Sequence, residues 1–127
     1  MILDQVSVFL ENKSGTLEEL VETLGDAEIN IRALSIAETE NYGIVRMIVS
    51  DTTKCEKILK EHEFTVKIRK VIQVQTPDEP GALAAQLKHF TKNNINVKYM
   101  YGYSNGGTAY LIMKVDDPEK AIQYLKS

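Results

Sequence analysis

The chain has 127 residues, 43% of them hydrophobic and 26% charged, which suits a globular protein with enough apolar residues for a core. A formal net charge of −3 argues against general binding to nucleic acid or to an anionic membrane, although it leaves room for a local basic patch. Cys55 is the single cysteine, which excludes an intrachain disulfide and a multi-thiolate metal site. It reads as a half-buried small apolar residue in a cytoplasmic protein. The opening MILDQVSVFL is apolar but short and has no basic lead, so neither a signal peptide nor a spanning helix is expected.

In chain order, residues 3 to 10 alternate around Val6, Val8 and Leu10, the period of a strand with one face toward a core. Turn formers from Glu11 to Gly15 end it, and Thr16 with Glu19 makes a capping box ahead of an apolar run. Leu17, Leu20, Val21 and Leu24 then fall at helical spacing, with Glu18, Glu19 and Glu22 toward water and Gly25-Asp26 as the stop. Ile29-Asn30-Ile31 opens a second strand. Both its faces look apolar, which β-propensity alone or a covering partner would explain. Asn41-Tyr42-Gly43 turns into a third strand carrying Val45, Met47 and Val49. Asp51 caps a second helix with Cys55, Ile58 and Leu59, and Phe64, Val66 and Ile68 form a fourth strand.

A shift of 66 positions then carries Gly15 to Gly81, Leu17 to Leu83, Asn30 to Asn96, Met47 to Met113 and Asp51 to Asp117, without a gap. Such a register means two copies of one module. The second reads Val71 to Gln75 as strand, Asp78-Glu79-Pro80-Gly81 as turn, and Leu83, Leu87 and Phe90 as helix stripe. Val97 to Tyr103 follows as strand, Asn105-Gly106-Gly107 as hairpin and Leu111 to Val115 as strand. Asp117-Pro118-Glu119 opens a last helix. Strand, helix, strand, strand, helix, strand is the βαββαβ, ferredoxin-like order, so the fold class is α+β with modules at 1–69 and 70–127. Only Arg69-Lys70 separates the two, and the second copy lacks its last strand at Ser127. Met1 to Leu3, a long Phe64 to Ile68 strand or another subunit would have to fill that edge.

The glycine turn before the first helix of each module is the candidate site. Amides at a helix N-terminus lack intrahelical partners and sit at the positive end of the macrodipole, so they suit a carboxylate. Asn30 and Asn96 suit an ammonium or a carboxylate, or simply stabilise a turn. Tyr99, Tyr101 and Tyr103 share a strand face that fits subunit packing better than base stacking. His62 and His89 are expected to be exposed and stand apart from the cysteine, so no metal and no cofactor is assigned. The acidic helix face forms no catalytic pair, and no nucleotide or nucleophile fingerprint is present.

Gly15-Thr16-Leu17 with Ile29-Asn30-Ile31, and Asp78 to Leu83 with Ile95-Asn96-Val97, resemble two ACT domains in tandem. The resemblance implies small ferredoxin-like regulatory modules that bind amino acids, often paired into an eight-stranded sheet. The effector would lie between a glycine turn and a second-strand start of neighbouring modules. By position this implicates Asn12, Ser14, Gly15, Thr16 and Leu17 with Asn30 and Ile31, and Asp78, Pro80, Gly81, Ala82 and Leu83 with Asn96 and Val97. Ser14 for Pro80 and Lys13 for Glu79 imply sites of different charge and leave room for one of them to be silent. The expectation is a non-enzymatic, cytoplasmic regulatory homodimer that binds a small effector and acts on a partner enzyme. The alternative is an interaction subunit that docks on a biosynthetic enzyme without a ligand.

Overall fold

Apolar alternation becomes strand and apolar striping becomes helix throughout the computed structural model, which describes residues 1–125. The elements are β1 (Ile2–Glu11), α1 (Thr16–Asp26), β2 (Ile31–Glu38), β3 (Tyr42–Val49), α2 (Thr52–Glu61), β4 (Thr65–Pro77), α3 (Ala82–Lys92), β5 (Val97–Asn105), β6 (Thr108–Val115) and α4 (Pro118–Ile122). They divide into an amino-terminal unit, Asp4–Arg69, and a carboxy-terminal unit made of Met1–Leu3 and the chain from Lys70 on.

In the amino-terminal unit the strand order is β2-β3-β1-β4. Val6 lies opposite Met47 and Val8 opposite Val45 in the antiparallel β1·β3 pair. These four, with Leu20 and Leu24 of α1 and Cys55 and Leu59 of α2, form the buried core. The carboxy-terminal unit has the order β4-β6-β5, with Ile72 opposite Met113 and Val74 opposite Leu111. Phe90 of α3 is the large side chain buried in its core, beside Met113, Val115 and Ala121. This is the α+β, ferredoxin-like arrangement expected from the element order.

Two expected strands, Phe64 to Ile68 and Val71 to Gln75, are one unbroken strand, β4. Arg69 and Lys70 supply no turn chemistry, and their long side chains reach water from an extended backbone. The described residues therefore contain six strands, not the eight of two complete modules. The edge beside β4 in the carboxy-terminal unit goes to the first residues of the chain. The Gln73 amide donates to the Met1 carbonyl at 2.8 Å, and Ile2 packs into that unit's core. Ser127 lies outside the described residues.

One local expectation is corrected. Thr16 is the first helical residue and not a cap: Gly15 holds the cap position at φ 93° with no side-chain bond, and the Thr16 hydroxyl donates backward to Glu11 O (2.8 Å) and Lys13 O (3.0 Å). α1 ends at Gly25-Asp26 as expected; the left-handed residue beyond it is Glu28 (φ 59°), and Asn94 after α3 repeats it. On β2, Leu34 and Ile36 lie opposite Met47 and Val45, so they face the helix side. As β2 is an edge strand, they remain 39% and 49% exposed. The two aspartate caps are as read: Asp51 accepts from Lys54 N and Asp117 from Lys120 N, each at 3.1 Å. Gly106 (φ 61°) and Gly107 (φ 84°) supply the two positive φ angles of a tight hairpin.

Cys55 is wholly buried rather than half-buried. Burial, followed by the charges of Asp51 and Glu56, pushes its thiol up to about 11 from an ordinary 9.0. The folded state thus retains a proton that the unfolded state releases, so stability falls as pH rises above 9 toward 11. A thiol reagent at pH 8 should label the native protein only through unfolding, and denaturant should accelerate it. Labelling at the rate of a free thiol in native buffer would contradict this placement.

Candidate functional site

Each unit carries a hollow between its glycine turn and the far end of its first hairpin. In the amino-terminal unit it measures about 360 Å³ and is lined by Leu10, Glu11, Asn12, Lys13, Thr16, Leu17, Ile36, Glu38, Gly43 and Val45. In the carboxy-terminal unit it measures about 320 Å³ and is lined by Thr76, Pro77, Asp78, Glu79, Leu83, Gly102, Tyr103, Ser104, Ala109 and Leu111. The 66-residue shift maps nine positions of the first lining onto the second; only Thr16 and Tyr103 have no counterpart. The repeat therefore preserves a cavity as well as a fold.

The turn is fixed by the hairpin it faces. Asn12 N donates to Asn41 O at 2.9 Å, and Asp78 N makes the corresponding bond to Gly107 O at 2.9 Å. The Asn12 side-chain amide also donates to Glu38 Oε2 (3.2 Å) and Thr39 O (3.3 Å). Asp78, being an acid, cannot donate in this way, and Ser104 stands where the first copy has Glu38.

Helix capping separates the helices by role. Asp51 and Asp117 fill the N-termini of α2 and α4, whereas α1 and α3 begin at left-handed glycines, Gly15 (φ 93°) and Gly81 (φ 86°), with no side-chain cap. A Cβ added at either glycine would meet nothing within 4 Å, so the space beside the turn is open. The two helix ends at the hollows are thus those whose first-turn amides have no side-chain acceptor, an arrangement suited to a bound anion.

The hollows differ in charge. The first contains Glu11, Glu38 and Lys13, with Lys13 Nζ 3.4 Å from Glu11 Oε2 at the surface. The second contains Asp78 and Glu79 and no cation. A zwitterion fits the first, where both signs are offered; an ammonium group suits the second.

Of the residues expected at the site, Asn12, Thr16, Leu17, Asp78 and Leu83 line these hollows. Pro80 and Ala82 line an adjoining hollow of about 370 Å³ with Gln86 and His89. Ser14, Gly15 and Gly81 belong to the same turns and are not among the residues that line these three hollows. Asn30 and Ile31 stand at the other end of their unit, since Ile31 pairs with Val49 while Glu38 pairs with Gly43. Asn30 N donates to Ser50 Oγ at 3.0 Å there. Asn96 and Val97 are placed likewise, Val97 opposite Val115 and Asn105 opposite Thr108.

The sequence did not point to the hairpin residues Ile36, Glu38, Gly102 and Ser104, or to Gln86. The Nε2 of Gln86 is buried with no hydrogen-bond partner. Leu20, at the same position of the first copy, is fully buried in apolar core. A buried donor without an acceptor costs free energy unless something binds it. Tyr103 stacks on Tyr110 with centroids 5.1 Å apart, and register places Tyr99 and Tyr101 on the same face. His62 is exposed and bonds Ile58 O through Nδ1, while His89 is half-buried. Among the described residues no cluster of His, Cys, Asp or Glu could hold a metal, and no helix is long and apolar enough to cross a membrane.

The profile of a known family, the ACT domain pair, matches residues 1–126. The chain belongs to that family. This ACT domain pair is similar to a protein of known structure from Bacteroides thetaiotaomicron, with 41% identity and a TM-score of 0.95 over 99% of this chain and 88% of the other. It also shares its fold with the regulatory subunit of aspartate kinase from Thermus thermophilus, at 10% identity and a TM-score of 0.69 over 96% of this chain and 89% of that one. The corresponding subunit from Thermus flavus gives 11% identity and a TM-score of 0.66 over 98% and 93%. Among curated proteins there is no match.

Proposed function

We propose that this ACT domain pair is a non-catalytic, cytoplasmic regulatory protein that binds an amino acid at its glycine turns, works as a homodimer and acts in trans on a partner enzyme. The observation that carries this reading is the pair of repeat-related hollows, each beside an uncapped helix end. An uncapped N-terminus suits the α-carboxylate, and Glu11, Glu38, Asp78 and Glu79 offer negative charge for the ammonium. Asn30 with Ile31, and Asn96 with Val97, could complete such a site only from a different module, because each pair stands at the far end of its own unit. The fold shared with regulatory subunits of aspartate kinase fits an output carried by a partner.

A thermal-shift screen against the twenty amino acids tests this, because a ligand that binds only the folded state must raise the melting temperature. At about one hundred times its dissociation constant, a true effector contributes about 2.7 kcal/mol. A hit abolished by a bulky residue at Gly15 or Gly81 would assign the turn that holds it. No shift with any amino acid would remove the ligand from the proposal and leave a docking subunit, with Leu34 and Ile36 exposed on an edge strand as its contact.

A further inference from the structure

Gly43 is a glycine that its own backbone does not require. It lies within β3, opposite Leu10 of β1 on one side and Glu38 of β2 on the other, and its φ is outside the left-handed region. Glycine weakens a strand, and where the pairing register is regular, as it is at this residue, it marks a place that another group approaches closely. A Cβ built there would meet Ile36 Cγ2 at 3.8 Å, Ala37 O at 4.0 Å and no other heavy atom within 4 Å, so the protein itself does not claim the space. That space belongs to the first hollow, which Gly43 lines. Gly102 in the second hollow differs, because the backbone of β6 stands where its Cβ would go.

Four branched aliphatic residues share that lining. Leu10 and Val45 are buried, whereas Leu17 and Ile36 remain 36% and 49% exposed, apolar surface left to water. The polar side chains around them are already engaged: the Asn12 amide donates to Glu38 Oε2 and Thr39 O, the Thr16 hydroxyl to Glu11 O and Lys13 O, and Lys13 pairs with Glu11. A polar side chain entering here would give up its water without gaining a partner, a cost that an apolar one avoids. No ring lines the hollow, so an aromatic side chain finds nothing to stack on. The 66-residue shift replaces Leu10 by Thr76, Ile36 by Gly102 and Gly43 by Ala109, so this lining belongs to the first copy. We propose that the first hollow selects an amino acid with an aliphatic side chain (valine, leucine, isoleucine or methionine), which lies over Gly43 between Leu17 and Ile36. This rests on the amino-acid reading given above and names the class of effector.

Calorimetric titration of the full chain with each of the twenty amino acids is the test. The expected result is tightest binding by an aliphatic member, with affinity rising about fourfold for each carbon added from alanine through valine to leucine, the worth of a buried methylene. Gly43→Ala should weaken that ligand at least about tenfold with native circular dichroism, because the new methyl makes only ordinary contacts with the protein and takes its room from the ligand. Ile36→Ser, at an exposed position, should weaken it about tenfold by removing one wall. Binding by no amino acid overturns the amino-acid reading and this proposal with it. A charged, polar or aromatic amino acid as the tightest ligand, or a flat series from alanine to leucine, overturns the aliphatic class and leaves that reading standing. An aliphatic ligand indifferent to both variants overturns its placement over Gly43. Were one variant misfolded, the wild-type series and the other variant would still decide.

Discussion

Gly102→Ala is expected to destabilise the carboxy-terminal unit by about 3 kcal/mol or more, at the upper end of what overpacking costs. An added Cβ would run into the Tyr110 carbonyl oxygen of β6 and would stand 2.9 Å from Leu111 Cδ2 and 3.2 Å from Leu111 Cα. Two of the three obstacles are backbone, so no rotamer change relieves them; β5 must move away from β6. Strand separation strains the ladder from Met100 to Asn105 and opens the second hollow, which Gly102 lines. Urea unfolding would read the change as a lowered midpoint. A loss below about 1 kcal/mol would mean the pair absorbs a methyl group and that the close approach is unnecessary. The first copy has Ile36 at this position, 49% exposed, so the tight approach belongs to the second copy alone.

Gln86→Leu should act in opposite directions on stability and on binding. Without ligand, the buried Nε2 has no partner, so replacing it with an apolar side chain removes a cost of about 1–3 kcal/mol. Leu20 at the same position of the first copy shows that the fold accepts leucine there. The melting temperature should rise by about 4 °C for each kcal/mol gained. If the adjoining hollow receives a carboxylate or carbonyl of the effector, the same change removes a donor and weakens binding about tenfold or more, the loss of one charge-assisted hydrogen bond. Thermal unfolding and calorimetry with the amino acid found by screening measure the two effects. A drop in stability would show that Gln86 is satisfied in the free protein. A gain in stability with unchanged affinity would leave its donor without a function.

The repeat, its ferredoxin-like order and the aspartate caps were legible because each depends on residues close in sequence. Asp51 and Lys54, like Asp117 and Lys120, are three positions apart, and the cap is written in the residue type. What was hidden depends on distant pairing. Nothing near Arg69-Lys70 distinguishes a bend from a continuous strand, since neither residue breaks nor favours one. The bond between Met1 and Gln73 spans the whole first copy. The hollow combines a turn with the end of β2, and the end of β2 reaches that turn only through a register that includes an irregularity between Ile31 and Ala33. Periodicity says that β2 exists but not which of its ends approaches Asn12. Gln86 was hidden for a different reason. A glutamine in a helix ordinarily reads as a water-facing residue, and only the packed neighbours reveal that its amide is enclosed.

The two copies are equivalent in sequence but not in how they can be made. The amino-terminal unit draws on one continuous run, Asp4 to Arg69, and can close as soon as that run has left the ribosome. The carboxy-terminal unit needs residues from both sides of that run, because Met1 to Leu3 are synthesised before it and pair with chain made after it. Those three residues must therefore remain uncommitted until Gln73 and its strand have been made. Expression as separate halves divides one of these units and spares the other, although the repeat itself would place the cut between two equals.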